Sequence, residues 1–224
     1  MCGRFTLSTD IKAIAERFGA PAPDGIASAA PRYNIAPTQD VIVVSGEGRR
    51  QIRQMRWGLI PSWAKNPAIG SQMINARAES VAEKPSFRDA LKKRRCLIPA
   101  DGLYEWQKLG KVKQPVHIVL KSREPFGFAG LWEHWTSPEG EEILTCTIIT
   151  TEANDLLKAV HDRMPVILTR DAEAAWLDPQ IHEAEKLLPL LKQYPADEME
   201  YCAVSRQVNS PAVDEPNNIK PIVG

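Results

Sequence analysis

Cys2 stands directly behind Met1, and that position gives a thiol unusual chemical options. Removal of Met1, which a small second residue permits, makes Cys2 the N-terminus. Its α-amine and its thiol then occupy adjacent carbons. Such a 1,2-aminothiol condenses with an aldehyde: the amine forms a Schiff base, water leaves, and sulfur closes a five-membered thiazolidine ring. A free α-amine, with a pKa of about 7.7–8.0, is usable near neutral pH, unlike a lysine at about 10.4. A thiol with a pKa of about 8.5 supplies some thiolate. On residues 1–6 alone the plainer reading leads, in which Cys2 is a small residue of a first strand and Met1 is retained.

Three further segments place polar or ionisable groups in apolar surroundings. They are Ile74-Asn75-Ala76-Arg77-Ala78-Glu79, Asp101-Gly102-Leu103-Tyr104-Glu105-Trp106 and His161-Asp162-Arg163-Met164-Pro165. The Asn75 amide can donate to a substrate or orient a thiol. A semi-buried Glu105 would have its pKa raised towards values useful for proton relay. His161 titrates near neutrality and can shuttle a proton. Arg4, Arg77 and Arg163 carry guanidinium forks that suit phosphate oxygens. Taken singly, each has a plainer reading: a turn Asn, a solvent-facing strand Glu, a helix C-terminal His, solvated arginines.

Other chemistries are excluded more directly. His182-Glu183 lacks the second histidine of a zinc-protease helix, and no Gly-x-Ser-x-Gly elbow or Walker motif is present. Gly46-Glu47-Gly48 lacks the third glycine of a dinucleotide site and reads as a hairpin turn. The histidines at 117, 134, 161 and 182 are scattered, so no metal or cofactor is expected. Cys2, Cys96, Cys146 and Cys202 show no CxxC spacing, which makes a disulfide framework unexpected. No apolar run approaches the ~18–20 residues of a membrane span. With no export signal in the first residues, the cytoplasm is the expected location.

The 224 residues, 43% hydrophobic and 25% charged, suit a soluble globular chain. Eighteen prolines favour many short elements over a helical bundle. The net charge of zero means that nucleic-acid contact needs a local basic patch. Ser8 or Thr9 is expected to cap a helix carrying Ile11, Ile14 and Phe18 and ending at Gly19. Residues 41–45 and 51–57 form a hairpin pattern. A short basic helix is expected over 86–94, and further helices over 152–160, 172–177 and 182–191. Strands are expected at 96–99, 103–107, 116–120, 127–132, 144–150, 166–168 and 201–204. The fold class is α+β: one domain over residues 1–224, curled barrel-like antiparallel sheets, peripheral helices, and a partly irregular tail from about 209.

The four site segments, in this order and spacing, closely resemble the SOS-response-associated peptidase (SRAP) family. Arg32-Tyr33-Asn34-Ile35-Ala36-Pro37, Trp57-Gly58-Leu59-Ile60-Pro61, Val204-Ser205 and Val208-Asn209 extend the resemblance over nearly the whole chain. It implies a protein that captures abasic sites in single-stranded DNA. Cys2 would form a thiazolidine crosslink with the ring-opened deoxyribose aldehyde. Asn75 matches a polar residue beside that cysteine. Glu105 would relay protons, and His161 would promote sugar opening. Arg4, Arg77, Arg163 and Thr150 would meet the DNA backbone. Trp63 matches an exposed aromatic that stacks on bases, but the second aromatic found in some members is Ala64 here, leaving Ile69 or Met73 to substitute. Lys84, Arg88, Lys92, Lys93, Arg94 and Arg95 could guide DNA to the site.

The Schiff-base intermediate also permits β-elimination, so weak lyase activity is compatible with capture. The family name offers an alternative, a cysteine peptidase that removes its own Met1 with the same Cys2. A non-catalytic single-strand binder is the third reading. The implied protein acts as a monomer, with no membrane partner, and associates with the nucleoid when DNA-bound.

Overall fold

A computed structural model describes residues 2–26, 29–47 and 49–222. Met1, whose removal is expected, and Gly48, in the expected hairpin turn, lie outside the described residues. The first half of the chain forms β1 (Phe5–Leu7), α1 (Ile11–Phe18), β2 (Arg32–Ile35), β3 (Asp40–Glu47), β4 (Arg49–Trp57), β5 (Asn75–Arg77), α2 (Arg88–Lys93) and β6 (Arg95–Ala100). Next come β7 (Gly102–Leu109), β8 (Val112–Leu120), β9 (Phe126–Thr136) and β10 (Glu142–Glu152). The chain finishes with β11 (Arg163–Pro165), β12 (Ile167–Leu168), α3 (Arg170–Leu177), α4 (Ala184–Leu187) and β13 (Met199–Ala203).

Five strands close on themselves as a barrel in the order β3-β4-β10-β9-β6. Closure depends on β10, whose Thr145 and Cys146 pair in parallel with Arg56 and Trp57 of β4. β5 also joins β10 in parallel, with Ile148 opposite Asn75 and Thr150 opposite Arg77. These two parallel pairings are the departure from the expected antiparallel sheets. They are non-local, and no hairpin signal announces them. Strand β6 is buried along its whole length and β9 along most of it, as the wall of a filled barrel requires.

The second layer is a five-stranded antiparallel sheet, β13-β8-β7-β1-β2. It meets the barrel through aromatic side chains. Phe5 of β1 lies 5.3 Å from Trp57 and 5.7 Å from Phe128, both edge-on, and Phe128 packs on Phe126 at 5.3 Å. Edge-to-face pairs of this kind add about 0.5–1.5 kcal/mol each beyond their buried area. One apolar cluster runs from Cys2 to Met199, and a smaller one joins Tyr104, Val204 and Val208. No helix among the described residues is long and apolar enough to cross a membrane.

Several expected elements differ, each for a physical reason. Helix α1 is capped by Asp10, which accepts from the Lys12 N–H, because Ser8 and Thr9 are engaged by Asp101. Residues 152–160 form no α-helix, only a 3-10 turn over Leu157–Ala159. The Asn154 side chain takes the Leu157 N–H and donates to the Tyr194 carbonyl, offering the backbone a non-helical alternative. Helix 182–191 shrinks to α4 plus a 3-10 turn containing Pro189, which cannot continue an α-helix. Strands β7 and β8 run past 107 and before 116 to meet at a turn with Gly110 at φ +61°.

Between β4 and β5 the chain is pinned to the barrel by backbone contact. Gly58 has φ +136°, and a Cβ there would lie 2.6 Å from the Gly70 carbonyl oxygen. The Gly58 N–H donates to Cys146 O (2.8 Å), Leu59 N–H to Met73 O (3.1 Å) and Trp57 Nε1–H to Ile74 O (2.8 Å). These bonds deliver Asn75 to the edge of β10. Gly58→Ala combines an unfavourable φ with a backbone collision, so a loss of about 2–3 kcal/mol is expected. Thermal melting should fall by roughly 5–10 °C for a chain of this size. Gly25→Ala, with open space around its Cβ, should melt like the parent. Equal melting of both variants would show that the Gly58–Gly70 approach is not tight.

Candidate active site

Cys2 lies just before β1 and is fully buried. Its strand is tied down on both flanks. The Asp101 carboxylate accepts from Thr6 Oγ1 (2.6 Å), Ser8 N and Oγ (2.6 and 2.8 Å) and Thr9 N and Oγ1 (2.8 and 3.0 Å). Arg4, itself buried, donates through Nη1 to Asn34 Oδ1 (2.6 Å) and to the Val208 carbonyl (2.7 Å). The Tyr104 N–H bonds the Arg4 carbonyl at 3.0 Å, and Phe5 sits opposite Leu103. This antiparallel register carries Cys2 alongside the Glu105 region of β7.

The electrostatics agree with that placement. Burial pushes the Cys2 thiol up to about 12, and the negative field of Glu105 adds to the rise. Burial likewise carries Glu105 up to about 7. At neutral pH the site therefore holds a protonated thiol beside a carboxyl group poised between its two forms. Glu105 is only 5% exposed, so the plainer solvent-facing reading fails.

Glu105 and His161 line one cleft of about 890 Å³, together with Trp106 and Asn209. His161 follows the 3-10 turn after β10, not a helix, and its N–H bonds the Leu157 carbonyl. Its Nδ1 accepts from the Arg163 N–H at 3.0 Å, while Asp162 Oδ1 lies 2.8 Å from the same nitrogen. A backbone N–H is a fixed donor, so in the neutral ring Nδ1 is the acceptor and the proton sits on Nε2. Burial lowers the His161 pKa, which favours this neutral form. The exposed Asp162 would become its partner only on protonation.

Asn75 is half-buried on β5, where its Nδ2 donates to the Ile74 carbonyl (2.8 Å) and its buried Oδ1 accepts no hydrogen bond among the described residues. It is placed by its pairing with β10 and does not line the cleft that Glu105 and His161 share. Thr150 is buried between β5 and β11, opposite Arg77 on one side and Pro165 on the other.

The three expected phosphate clamps find different settings. Arg77 is exposed. Arg163 forks onto Glu79 at 2.7 and 3.0 Å and also donates to the Thr150 carbonyl at 2.7 Å. That ion pair holds the Glu79 carboxyl below its ordinary range. Arg4 faces protein acceptors in the interior. Trp63 is 58% exposed, on a loop held by the bond from Trp135 Nε1–H to Ala64 O at 2.7 Å. Met73 packs against the core and Ile69 is half-buried, so neither repeats the exposure of Trp63.

The basic stretch around α2 is reduced. Arg95 is buried against the carbonyls of Leu91, Lys92, Trp176 and Asp178, and Arg94 pairs with Glu133 at 2.7 Å. Lys84, Arg88, Lys92 and Lys93 stay exposed. Lys108 and Lys113 also line the cleft, on the stretches of β7 and β8 that lie beyond the strands expected at 103–107 and 116–120. Asp101 lies in the 101–106 segment, but its anchoring role depends on Thr6, Ser8 and Thr9, 92–95 positions away, which no local pattern announces. Among the described residues no group of three or more His, Cys, Asp or Glu could hold a metal ion.

Comparison with known proteins agrees with the geometry. Residues 1–211 match the family described as SOS response associated peptidase (SRAP). The chain is 49% identical over 224 residues to the abasic site processing protein YoqW of Bacillus subtilis (strain 168), covering 98% of this chain and 99% of that one. It is 31% identical over 225 residues to the abasic site processing protein HMCES of Gallus gallus, covering 86% and 66%. A crystal structure of a Bacteroides thetaiotaomicron protein superposes with a TM-score of 0.91 at 28% identity, covering 99% and 100%. The chain belongs to the SRAP family.

Proposed function

We propose that this protein captures abasic sites in single-stranded DNA by forming a thiazolidine between Cys2 and the ring-opened sugar. Removal of Met1 is the enabling step. The terminal amine then attacks the aldehyde carbon and water leaves as the imine forms. The Cys2 sulfur adds to that carbon as its proton passes to the ring nitrogen, and no oxidant or reductant is needed. The observation that carries this reading is the burial of Cys2 in the field of Glu105, which itself lines a cleft with His161. The names of the YoqW and HMCES relatives support it.

Glu105 is the proton relay for amine attack and water loss. Its pKa near 7 lets it accept and return a proton in the same cycle. His161, neutral with its proton on Nε2, assists opening of the sugar. Asn75 holds the sugar or thiol through its amide. Arg77 and Arg163 meet phosphates, the latter by exchanging Glu79 for DNA, while Thr150 positions that edge. Arg4 acts for the DNA by fixing the strand that ends at Cys2. Trp63 stacks on a base, a contact worth about 1–3 kcal/mol. The protein acts on DNA as a monomer, at the nucleoid in the cytoplasm.

A peptidase with a thiolate–imidazole ion pair fits less well. Such pairs rest on a depressed thiol pKa, whereas burial raises that of Cys2 and lowers that of His161.

An oligonucleotide with one abasic site should give a denaturant-stable adduct whose mass equals protein plus DNA minus one water. Cys2→Ala should form no thiazolidine, and an unchanged adduct in that variant would remove Cys2 from the chemistry. A residue retained ahead of Cys2 should block ring closure while intact single strands still bind.

The pH dependence has a definite sign. As a base, Glu105 is active when deprotonated, so adduct formation should rise with pH through about 7. In Glu105→Gln that inflection should disappear and the rate should fall on the order of 10²-fold or more. An inflection surviving in Glu105→Gln would assign it to another group.

A further inference from the structure

The β7–β8 hairpin reaches beyond the sheet that carries it. On its outer sides β1 pairs with β7 only at Gly102 and Leu103, and β13 pairs with β8 only from Val116 onwards. Residues 108–113 are therefore an exposed two-stranded ribbon. Isolated two-stranded ribbons are marginal in water, and the tip pair here, Leu109 and Val112, is itself 54% and 40% exposed.

Its charge is one-sided. Lys108, Lys111 and Lys113 fall in a stretch with no Asp or Glu between Trp106 and Arg123. Lys108 and Lys113 are direct cross-strand partners. Like charges held opposite one another destabilise a ribbon. Among the described residues none of the three forms an ion pair, whereas Lys158 across the cleft is paired with Asp155 at 3.0 Å. Lys108 shares a strand face with Trp106, and both lysines of the pair line the cleft that holds Glu105 and His161. An unrelieved positive pair at the mouth of a site, in a chain of zero net charge, asks for an anion from outside.

We propose that this ribbon is an arm that grips the phosphates of the single strand beside the captured nucleotide. The inference rests on the abasic-DNA reading and adds a contact surface to it. The arm sets affinity and footprint, and the chemistry stays with Cys2, Glu105 and His161.

The test is the triple variant Lys108→Ala/Lys111→Ala/Lys113→Ala, with the Lys→Arg triple as its counterpart. Binding of an intact single strand is followed by fluorescence anisotropy across a salt series, and adduct formation is followed at saturating abasic DNA. The Ala variant should bind on the order of tenfold or more weakly, and its slope of log affinity against log salt should shrink by about 2. The Arg variant should bind like the parent. The Ala variant should melt no lower than the parent, since it loses only repulsion, and at saturating DNA its adduct should form at the parental rate. Parental affinity and salt slope in the Ala variant would overturn the arm. So would a loss confined to RNA of the same sequence. If the parent formed no abasic adduct while the Ala variant still lost single-strand binding, the capture reading would fail and the arm would stand.

Discussion

Everything at this site depends on a carboxylate that performs no chemistry. Chain ends normally fray, because few contacts hold them. The nucleophile proposed at the second residue would be useful only if its strand cannot move. Asp101 gathers donors from Thr6, Ser8 and Thr9 and so fixes the C-terminal end of β1. Arg4 fixes the other end through Asn34 and the Val208 carbonyl. Between them Phe5 enters the aromatic seam of sheet and barrel. Hydrogen bonds to charged groups contribute about 1.5–3 kcal/mol each where buried, more than a neutral pair. The short β1 thus outlasts what three residues of pairing could provide.

Anchoring the strand also dehydrates it, and dehydration is what tunes the groups. A thiol in water would be partly ionised and open to oxidation. Buried, Cys2 stays protonated until a proton acceptor is at hand. A carboxyl group in water would be fully ionised at pH 7 and a poor acid. Buried, Glu105 titrates near neutrality and can serve in both directions. His161 is only partly buried, yet burial still lowers its pKa and favours the neutral form. One structural fact, the closing of sheet over barrel, therefore supplies both the position and the protonation states.

Local patterns in the sequence carried much of this, and long-range pairing carried what they did not. The β3–β4 hairpin and α1 were legible because alternation, periodicity and turn residues are local. Cys2, Asn75, Glu105 and His161 could be named as candidates, but each alone looked ordinary. Only the register of β1 on β7, and of β5 on β10, turns them into neighbourhoods. The cap of α1 was misassigned because Asp101, distant in sequence, claims Ser8 and Thr9. The helix over 152–160 was an apolar periodicity that Asn154 overrules. Arginines were the least legible residues. Arg4, Arg94, Arg95 and Arg163 read alike as surface charges, yet each has buried or paired protein acceptors.

That sorting of the arginines bears on how a chain with no net charge can hold a polyanion. Guanidiniums spent on carbonyls and carboxylates inside the fold contribute rigidity and little external field. The exposed cations include Arg77 on the β5 edge, the α2 lysines and the β7–β8 ribbon, besides scattered residues such as Lys12, Lys65 and Lys220. Of these only the ribbon places cations on the cleft wall itself. Charges within a Debye length of the reacting sugar, about 10 Å at 0.1 M salt, act on the strand there, whereas more distant ones are screened. Unpaired lysines on the wall of the cleft add to the attraction of a strand at that mouth. Under the proposed capture, undamaged DNA keeps only such salt-sensitive contacts, whereas an abasic aldehyde would convert them into a covalent one.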